Sequence, residues 1–573
     1  MKLSGDSGGR ISAGSAGSPN PQNSPLELSA RRGFSISYQG KTLLSRIDPV
    51  AQGERLAAEF PVKEKTLYFC PSPLYGYGLD IFLGRLPKDS AVLCVEADEK
   101  LFEISKKAIV IPAGTGDGNP QPLALLRTSQ PETLCAFARK TWGGRRFRRL
   151  EEIRLGGGWQ ISPGLYAELA GALSREIALE WGNAMTLIRL GRLYARNLIR
   201  NLALLPQGEN VNRLSFGSSP VLVLGAGASM DSLFDALPDT LPDFNKPAGQ
   251  RPFRIVCVDT CLPALHERSI QPDLAVILES QHWNLRDFSG AKGRQIDAAL
   301  DLSVLPASAR ILGGKRFFFA TPWTELALFK RLGEAGLLPE TFIPLGSVGL
   351  SAVALALRIS FGPVLCAGID FSYTLDSCQA RSTPGHLELE LKQRRTKSLI
   401  NAAAVFREGT FAALSKTGQP LRSDPAMRGY RNLFEQEFGK NPRLLDIAGP
   451  GLPLGLKTVS PTEAFAILNG AREAEGEPPQ ARPGGIDYRN RLAAFVKSEI
   501  ETLIALRKAL SGESPLDAGR LEELLDTVDY LWAHFPDCAA TGGRRPADIS
   551  FLKRVRTEIE PFMDCWKMTL SSL

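Results

Sequence analysis

The sequence predicts an α/β protein: Rossmann-like parallel sheet domains, one N-terminal and one central, followed by an all-α C-terminal domain. Three observations predict it. Two strand, glycine turn and helix units recur, "TLYFCPSPLYGYGLDIFLGRL" around Gly76 and Gly78 and "VLVLGAGASMDSLFDAL" around Gly225 and Gly227. Residues 215–470 alternate apolar strands with helical segments, as a largely parallel sheet requires. Beyond "GAREAEGEPPQARPGG" the apolar spacing is helical, from "YRNRLAAFVKSEIETLIALRKAL" to the last residue.

A chain of 573 residues is too long for one hydrophobic core. Its 43% hydrophobic and 23% charged residues are those of a soluble globular protein. A formal charge of +7 is a mild excess for this length; it suits anionic ligands and does not mark a nucleic-acid binder. The 9 cysteines are scattered without a C-x-x-C pair, which points to neither a zinc site nor a disulfide framework. Cys94 and Cys366 sit in strand-like runs and read as small buried hydrophobes of a reducing compartment. No apolar run is long enough to span a bilayer, and the N-terminus lacks the apolar core of a signal peptide. A cytoplasmic protein without membrane insertion is expected.

Residues 1–30, rich in Gly, Ser, Pro and Asn, read as a disordered tail. Residues 31–160 form the N-terminal Rossmann-like domain. There Gly76-x-Gly78 is followed by a strand ending in Glu96, the arrangement that binds a ribose. Ile81 stands where the third glycine belongs, so a structural domain is the simpler reading. Arg145, Arg146, Arg148 and Arg149 could grip phosphates, or form a solvated edge paired with Glu151 and Glu152; the second is preferred. Residues 161–210 are a helical connector, 211–470 the central domain, 471–486 a linker and 487–573 the helical C-terminal domain.

The second glycine turn carries the chemistry. Met230 replaces the third glycine of the dinucleotide fingerprint, and no Lys-Ser/Thr follows as in a Walker loop. What remains is Gly225, Gly227 and Ser229 at the mouth of a helix, where free N–H groups and the dipole favour an anion. Farther along, "PLGSVGLSAVALALRI" puts Gly346 and Ser347 before an almost wholly apolar helix. The strand "PVLCAG" then runs into Gly368, Asp370 and Tyr373, and "RSTPGH" brings His386 toward the same rim. Asp370 is equally a strand-end cap and a ligand group. The other histidines are His266, read as capping or solvating a helix end, His282, which could line the pocket with Trp283 as a sugar-stacking platform, and His534 in the tail.

In order, "GAGAS", "IVCVDTCLPALHERSIQPDLAVILES", "GSVGLSAVALAL", "GIDFSY" and "PGH" resemble the motility accessory factor family of flagellin glycosyltransferases, whose central domain is similar to bacterial sialyltransferases. The resemblance runs over roughly residues 35–470. It implies a CMP-activated nonulosonic acid (pseudaminic, legionaminic or sialic type) as donor, flagellin Ser or Thr hydroxyls as acceptor, and neither metal nor resident cofactor. By position, Gly225, Gly227 and Ser229 would line the donor phosphate and ribose. Asp259 and Glu279 would face the nucleotide or sugar, and Gly346 and Ser347 the cytidine. Gly368 and Asp370 would complete the pocket, His386 would be the base, and Tyr373 would steady the leaving phosphate. Glu279 departs from the amide or Asp of those families, and Ala228 from a common Pro.

The chemistry suits these residue types. The phosphate of a CMP-sugar is a competent leaving group without a metal, and helix N-termini can stabilise it. A histidine can take the acceptor proton. Arg422 or Tyr430 could reach a sugar carboxylate, or belong to a surface helix start. Two other readings stay open: a pterin pyrophosphokinase, similar over the glycine-turn domain alone, and a non-catalytic flagellar accessory protein.

Overall fold

Continuous apolar runs become strands wherever both faces of a sheet are covered, and this sorts the chain into two parallel sheets. The computed structural model describes residues 24–112, 121–236, 243–396, 401–470, 486–541, 544 and 547–573. They divide into two units, one of Met1–Ile188 with Phe535–Arg544, the other of Arg189–His534 with Arg545–Leu573. Most of the expected tail and linker (1–23 and 471–485) lies outside the described residues.

In the first unit β1 (Leu26–Ser29), β2 (Phe34–Tyr38) and β3 (Lys41–Thr42) form a small antiparallel sheet. The end of the expected tail is therefore a strand, because β2 gives its backbone a partner. β4 (Thr66–Pro71), β5 (Ala91–Glu96), β6 (Leu123–Arg127) and β7 (Arg149–Glu152) form the parallel sheet, in the order β6-β5-β4-β7. β4 and β5 are buried at every position.

The first glycine turn has a packing role. Gly78 has φ +88°, and a Cβ there would collide with the Gly53 carbonyl on helix Pro49–Glu59. At the end of β5, Glu96 accepts hydroxyl bonds from Ser72 at 2.5 Å and Tyr166 at 2.7 Å. Burial pushes its carboxyl upward in spite of these donors. The basic stretch is structural too: Arg146 donates to the Lys88 carbonyl at 2.8 Å, and Arg148 lies 4.5 Å over the Trp181 ring.

The connector is one helix, Pro163–Leu202. The second unit then places β8 (Glu209–Asn210), β9 (Val221–Leu224), β10 (Arg254–Val258), β11 (Leu274–Ile277), β12 (Asp297–Asp301), β13 (Arg316–Phe319) and β14 (Val364–Ala367) in one sheet. A hairpin of β15 (Phe411–Leu414) and β16 (Pro420–Ser423) precedes β17 (Leu444–Ile447) and β18 (Lys457–Val459). The 9-stranded order is β18-β17-β14-β9-β10-β11-β12-β13-β8, every pairing parallel. The apolar helix Val348–Ile359 packs across β9, β10, β11 and β14, which explains its lack of a polar face.

Residues 486–534 and the final helix, Ile549–Ser571, belong to this same unit, although the linker led us to expect a domain of their own. Asp529 caps helix Ala327–Glu334 by accepting the Ala327 N–H at 2.6 Å, and Arg331 of that helix pairs with Glu499 at 2.6 Å. Thr569 donates to the Ile199 carbonyl at 2.8 Å. No described helix is long and apolar enough to cross a membrane.

Candidate functional site

From β9 the chain moves through β10 to β13 on one side, then returns to place β14 on the other. Between β9 and β14 the connections leave in opposite directions, and such a switch point opens a crevice beyond the strand carboxyl ends. Residues 225–227 and 368–370 meet there. The Gly225 N–H donates to the Ala367 carbonyl and the Gly227 N–H to the Gly368 carbonyl, each at 2.8 Å. A Cβ on Gly225 would strike the Gly368 carbonyl, and one on Gly227 the Asp370 carboxylate. The glycines are required by this close approach of two loops. Gly368 is the most constrained, with φ +74° and its missing Cβ aimed at the Gly225 backbone. Gly368→Ala is expected to cost about 2–5 kcal/mol, strain and overlap together, read as a lowered urea midpoint.

Ser229 and Asp370 lock the crossing. Asp370 accepts the Ser229 N–H at 2.7 Å and also the Ser229 hydroxyl, whose oxygen accepts the Gly368 N–H at 2.7 Å. Both residues are buried. Burial pushes the Asp370 carboxyl upward while Lys416 pulls it back. The Ser229 hydroxyl, expected at a phosphate, is thus engaged inside the protein. Behind it Lys416 and Asp446 form an ion pair of 2.6 Å with both side chains buried.

Gly346, φ +67°, and Ser347 lead into helix Val348–Ile359, whose N-cap Ser347 makes no side-chain capping bond. A Cβ on Gly349 would come within 3.8 Å of Ile369, so this helix start adjoins the switch-point loop. A Cβ on Gly346 would lie 3.1 Å from the Tyr430 ring. Tyr430 comes from helix Pro425–Phe438, while Arg422 is held by the Thr410 carbonyl at 3.0 Å.

At the end of β10, buried Asp259 accepts Nδ2 of Asn284 at 2.7 Å and the Thr260 N–H at 2.9 Å. Burial and the neighbouring Asp287 push its carboxyl up to about 7. Asn284 is a residue the sequence did not single out; it also accepts the Ser308 hydroxyl at 2.8 Å and so is locked in place. Glu279, beyond β11, is exposed. Its charge and that of Asp301 add to burial in pushing Tyr194 up to about 12, and the Tyr194 ring meets Trp323 edge-on at 5.4 Å. Trp283, the expected platform, is 65% exposed and lies against His282.

The loop before His386 is tied to the glycine turn, Ala380 donating its N–H to the Ala226 carbonyl at 2.8 Å. Helix Pro384–Leu391 follows, and His386 lines a groove of about 580 Å³ with Pro263, Glu267, Arg381 and Ser382. The imidazole is 8% exposed, its buried Nδ1 lacks a hydrogen bond, and a Glu390 carboxylate oxygen stands 3.6 Å away. Tyr373 points elsewhere: its hydroxyl donates to Asp424 at 2.8 Å, which with burial pushes it up to about 12. That carboxylate also takes Arg407 and caps helix Pro425–Phe438, so Tyr373 braces a loop here. Among the described residues no three His, Cys, Asp or Glu side chains converge as a metal-ligand set.

Residues 196–376 match the family model described as 6-hydroxymethylpterin diphosphokinase MptE-like. A protein of Treponema pallidum (strain Nichols), described as uncharacterized, is 28% identical over 578 residues, spanning 96% of this chain and 97% of its own. Among solved structures, the fold is similar to that of the MAf glycosyltransferase from Magnetospirillum magneticum AMB-1, with a TM-score of 0.57 and 14% identity over 96% of this chain and 92% of that one.

Proposed function

We propose that the chain is a cytoplasmic glycosyltransferase that moves a nonulosonic acid from a CMP-activated donor to Ser or Thr hydroxyls of flagellin. The observation that carries this reading is the extent of the fold likeness. It follows the MAf glycosyltransferase over 96% of this chain, whereas the diphosphokinase model covers residues 196–376 and stops before His386. Supporting it are the open N-terminus of helix Val348–Ile359 beside the switch-point glycines and a histidine on the neighbouring groove.

In this reading the donor phosphate lies at the uncapped start of helix Val348–Ile359, beside the turn of residues 225–227. The acceptor oxygen forms a bond to the anomeric carbon, and the bond from that carbon to the phosphate oxygen breaks. Its electron pair leaves with CMP, the acceptor proton passes to His386, and a single displacement inverts the centre. Ser229 and Asp370 act beneath the site by fixing the turn.

Calorimetric titration with CMP, UMP, AMP, and ATP with Mg²⁺ tests the donor class. Selective CMP binding supports the proposal. Binding of ATP with Mg²⁺ but not CMP would replace it with the pterin diphosphokinase reading, which the family model favours over residues 196–376. Absence of all binding would favour a non-catalytic accessory protein. Ser347→Asp separates fold from ligand. The carboxylate caps a helix that has no side-chain cap and is expected to add about 0.5–1 kcal/mol of stability. By occupying the same N–H groups it is expected to weaken CMP roughly tenfold.

A further inference from the structure

The geometry points to Glu390 as the positioning residue of His386, fixing which ring nitrogen receives the acceptor proton. This rests on the reading of His386 as the base. Three observations support it. Nδ1 is buried without a hydrogen bond, and a Glu390 oxygen lies 3.6 Å from it, one helical turn along the same face. The other nitrogen, Nε2, makes no hydrogen bond to a described residue and is not among the sealed polar atoms, so it opens on the groove that His386 lines. Finally, Glu390 has no other side-chain partner among the described residues, whereas its neighbour Glu388 is engaged by Lys392 at 2.5 Å and Arg286 at 3.2 Å.

Nδ1, sealed from solvent, cannot take its partner from water. The separation of 3.6 Å is just beyond a hydrogen bond. Base–orienter contacts are often loose before substrate binds, and a small χ adjustment of a half-exposed glutamate closes it. With Nδ1–H held by Glu390, the Nε2 lone pair faces the groove. The acceptor hydroxyl proton then passes to Nε2, and the imidazolium formed is stabilised by the neighbouring carboxylate. Other charged groups on the groove are Glu267 and His266 of helix Leu262–Glu267 and Arg381 of the preceding loop. Arg381 is paired with Asp235 and Asp231, and His266 lies 3.2 Å from Arg294. Within the helix the positioning therefore falls to Glu390.

The sequence holds only 4 histidines, so ¹⁵N-histidine NMR of the full chain can read the tautomer directly, His386→Gln assigning the signal. Wild type is expected to show Nδ1–H at His386, and Glu390→Gln to shift it toward Nε2–H. In the transfer assay Glu390→Gln is expected to lower kcat roughly tenfold or more with KM nearly unchanged, and Glu390→Asp to recover part of the loss. An unchanged tautomer together with an unchanged kcat in Glu390→Gln, while His386→Gln is inactive, would overturn the positioning role alone. Full activity in His386→Gln would instead remove the base reading, and the NMR result would still decide the contact.

Discussion

Lys416→Met is expected to destabilise the second unit by about 3–5 kcal/mol, because it strands a charge in the interior. The Lys416 and Asp446 side chains are 1% and 2% exposed, and one Asp446 oxygen has no hydrogen-bond partner among the described residues. Burial has already pushed the Asp446 carboxyl from 3.8 to about 6 against the pull of Lys416. A carboxyl raised in the folded state binds more protons there than in the unfolded chain. The stability it allows is therefore greatest below about pH 4 and falls as pH rises to about 6. Without Lys416 the carboxyl rises further, and the loss extends to higher pH. Urea unfolding of Lys416→Met should accordingly show a larger deficit at pH 8 than at pH 5. Lys416→Met with Asp446→Leu should recover most of it, since an apolar pair of similar volume removes the buried charge. Equal deficits at both pH values would show that lost packing, rather than the stranded carboxylate, sets the cost.

His386→Gln is expected to lower transfer from the CMP-activated donor by about 10²–10⁴-fold while changing CMP affinity less than about twofold. Glutamine keeps much of the volume and a polar end in a site that is 8% exposed, but cannot accept and later release a proton at neutral pH. In the proposed reading the nucleotide lies at the start of helix Val348–Ile359, apart from His386, so its binding should survive. Turnover onto flagellin read beside CMP calorimetry checks both halves. A variant with undiminished turnover would move the role of base elsewhere, and Asp259, with its carboxyl at about 7, is the first group to try.

Much of the fold was legible because burial leaves marks in composition. The apolar runs of β9, β10, β11 and β14 state that both sheet faces are covered, and the helix after Ser347 lacks a polar face because it crosses them. The glycine turn at residues 225–227 was legible as a turn at a helix mouth, but its sequence suggests a phosphate cradle and not the crossing of two loops. What approaches it was not legible: residues 368–370 are distant in sequence and arrive through strand pairing. The same limit hid the partner of Tyr373, which lies at Asp424, and the hold of Asn284 on Asp259. Two features had sequence signals that could have found them. Asp446 is an acid inside the apolar strand "LLDI", and Glu390 stands four residues after His386 on a helix.

The sequence by itself determined the α/β class, the parallel pairing, the helical tail and the glycine turns, because each follows from local periodicity and backbone freedom. Tertiary structure alone decided the roles of the polar groups. It turned the Ser229 hydroxyl inward to Asp370, gave Tyr373 to Asp424, left the start of helix Val348–Ile359 uncapped, and bound the helical tail to the second unit through Asp529 and Glu499. The physical reason is that a hydroxyl or carboxylate takes its function from whichever donor, acceptor or charge lies within about 3 Å. That neighbour is set by strand order and helix crossing, which no local stretch of sequence contains.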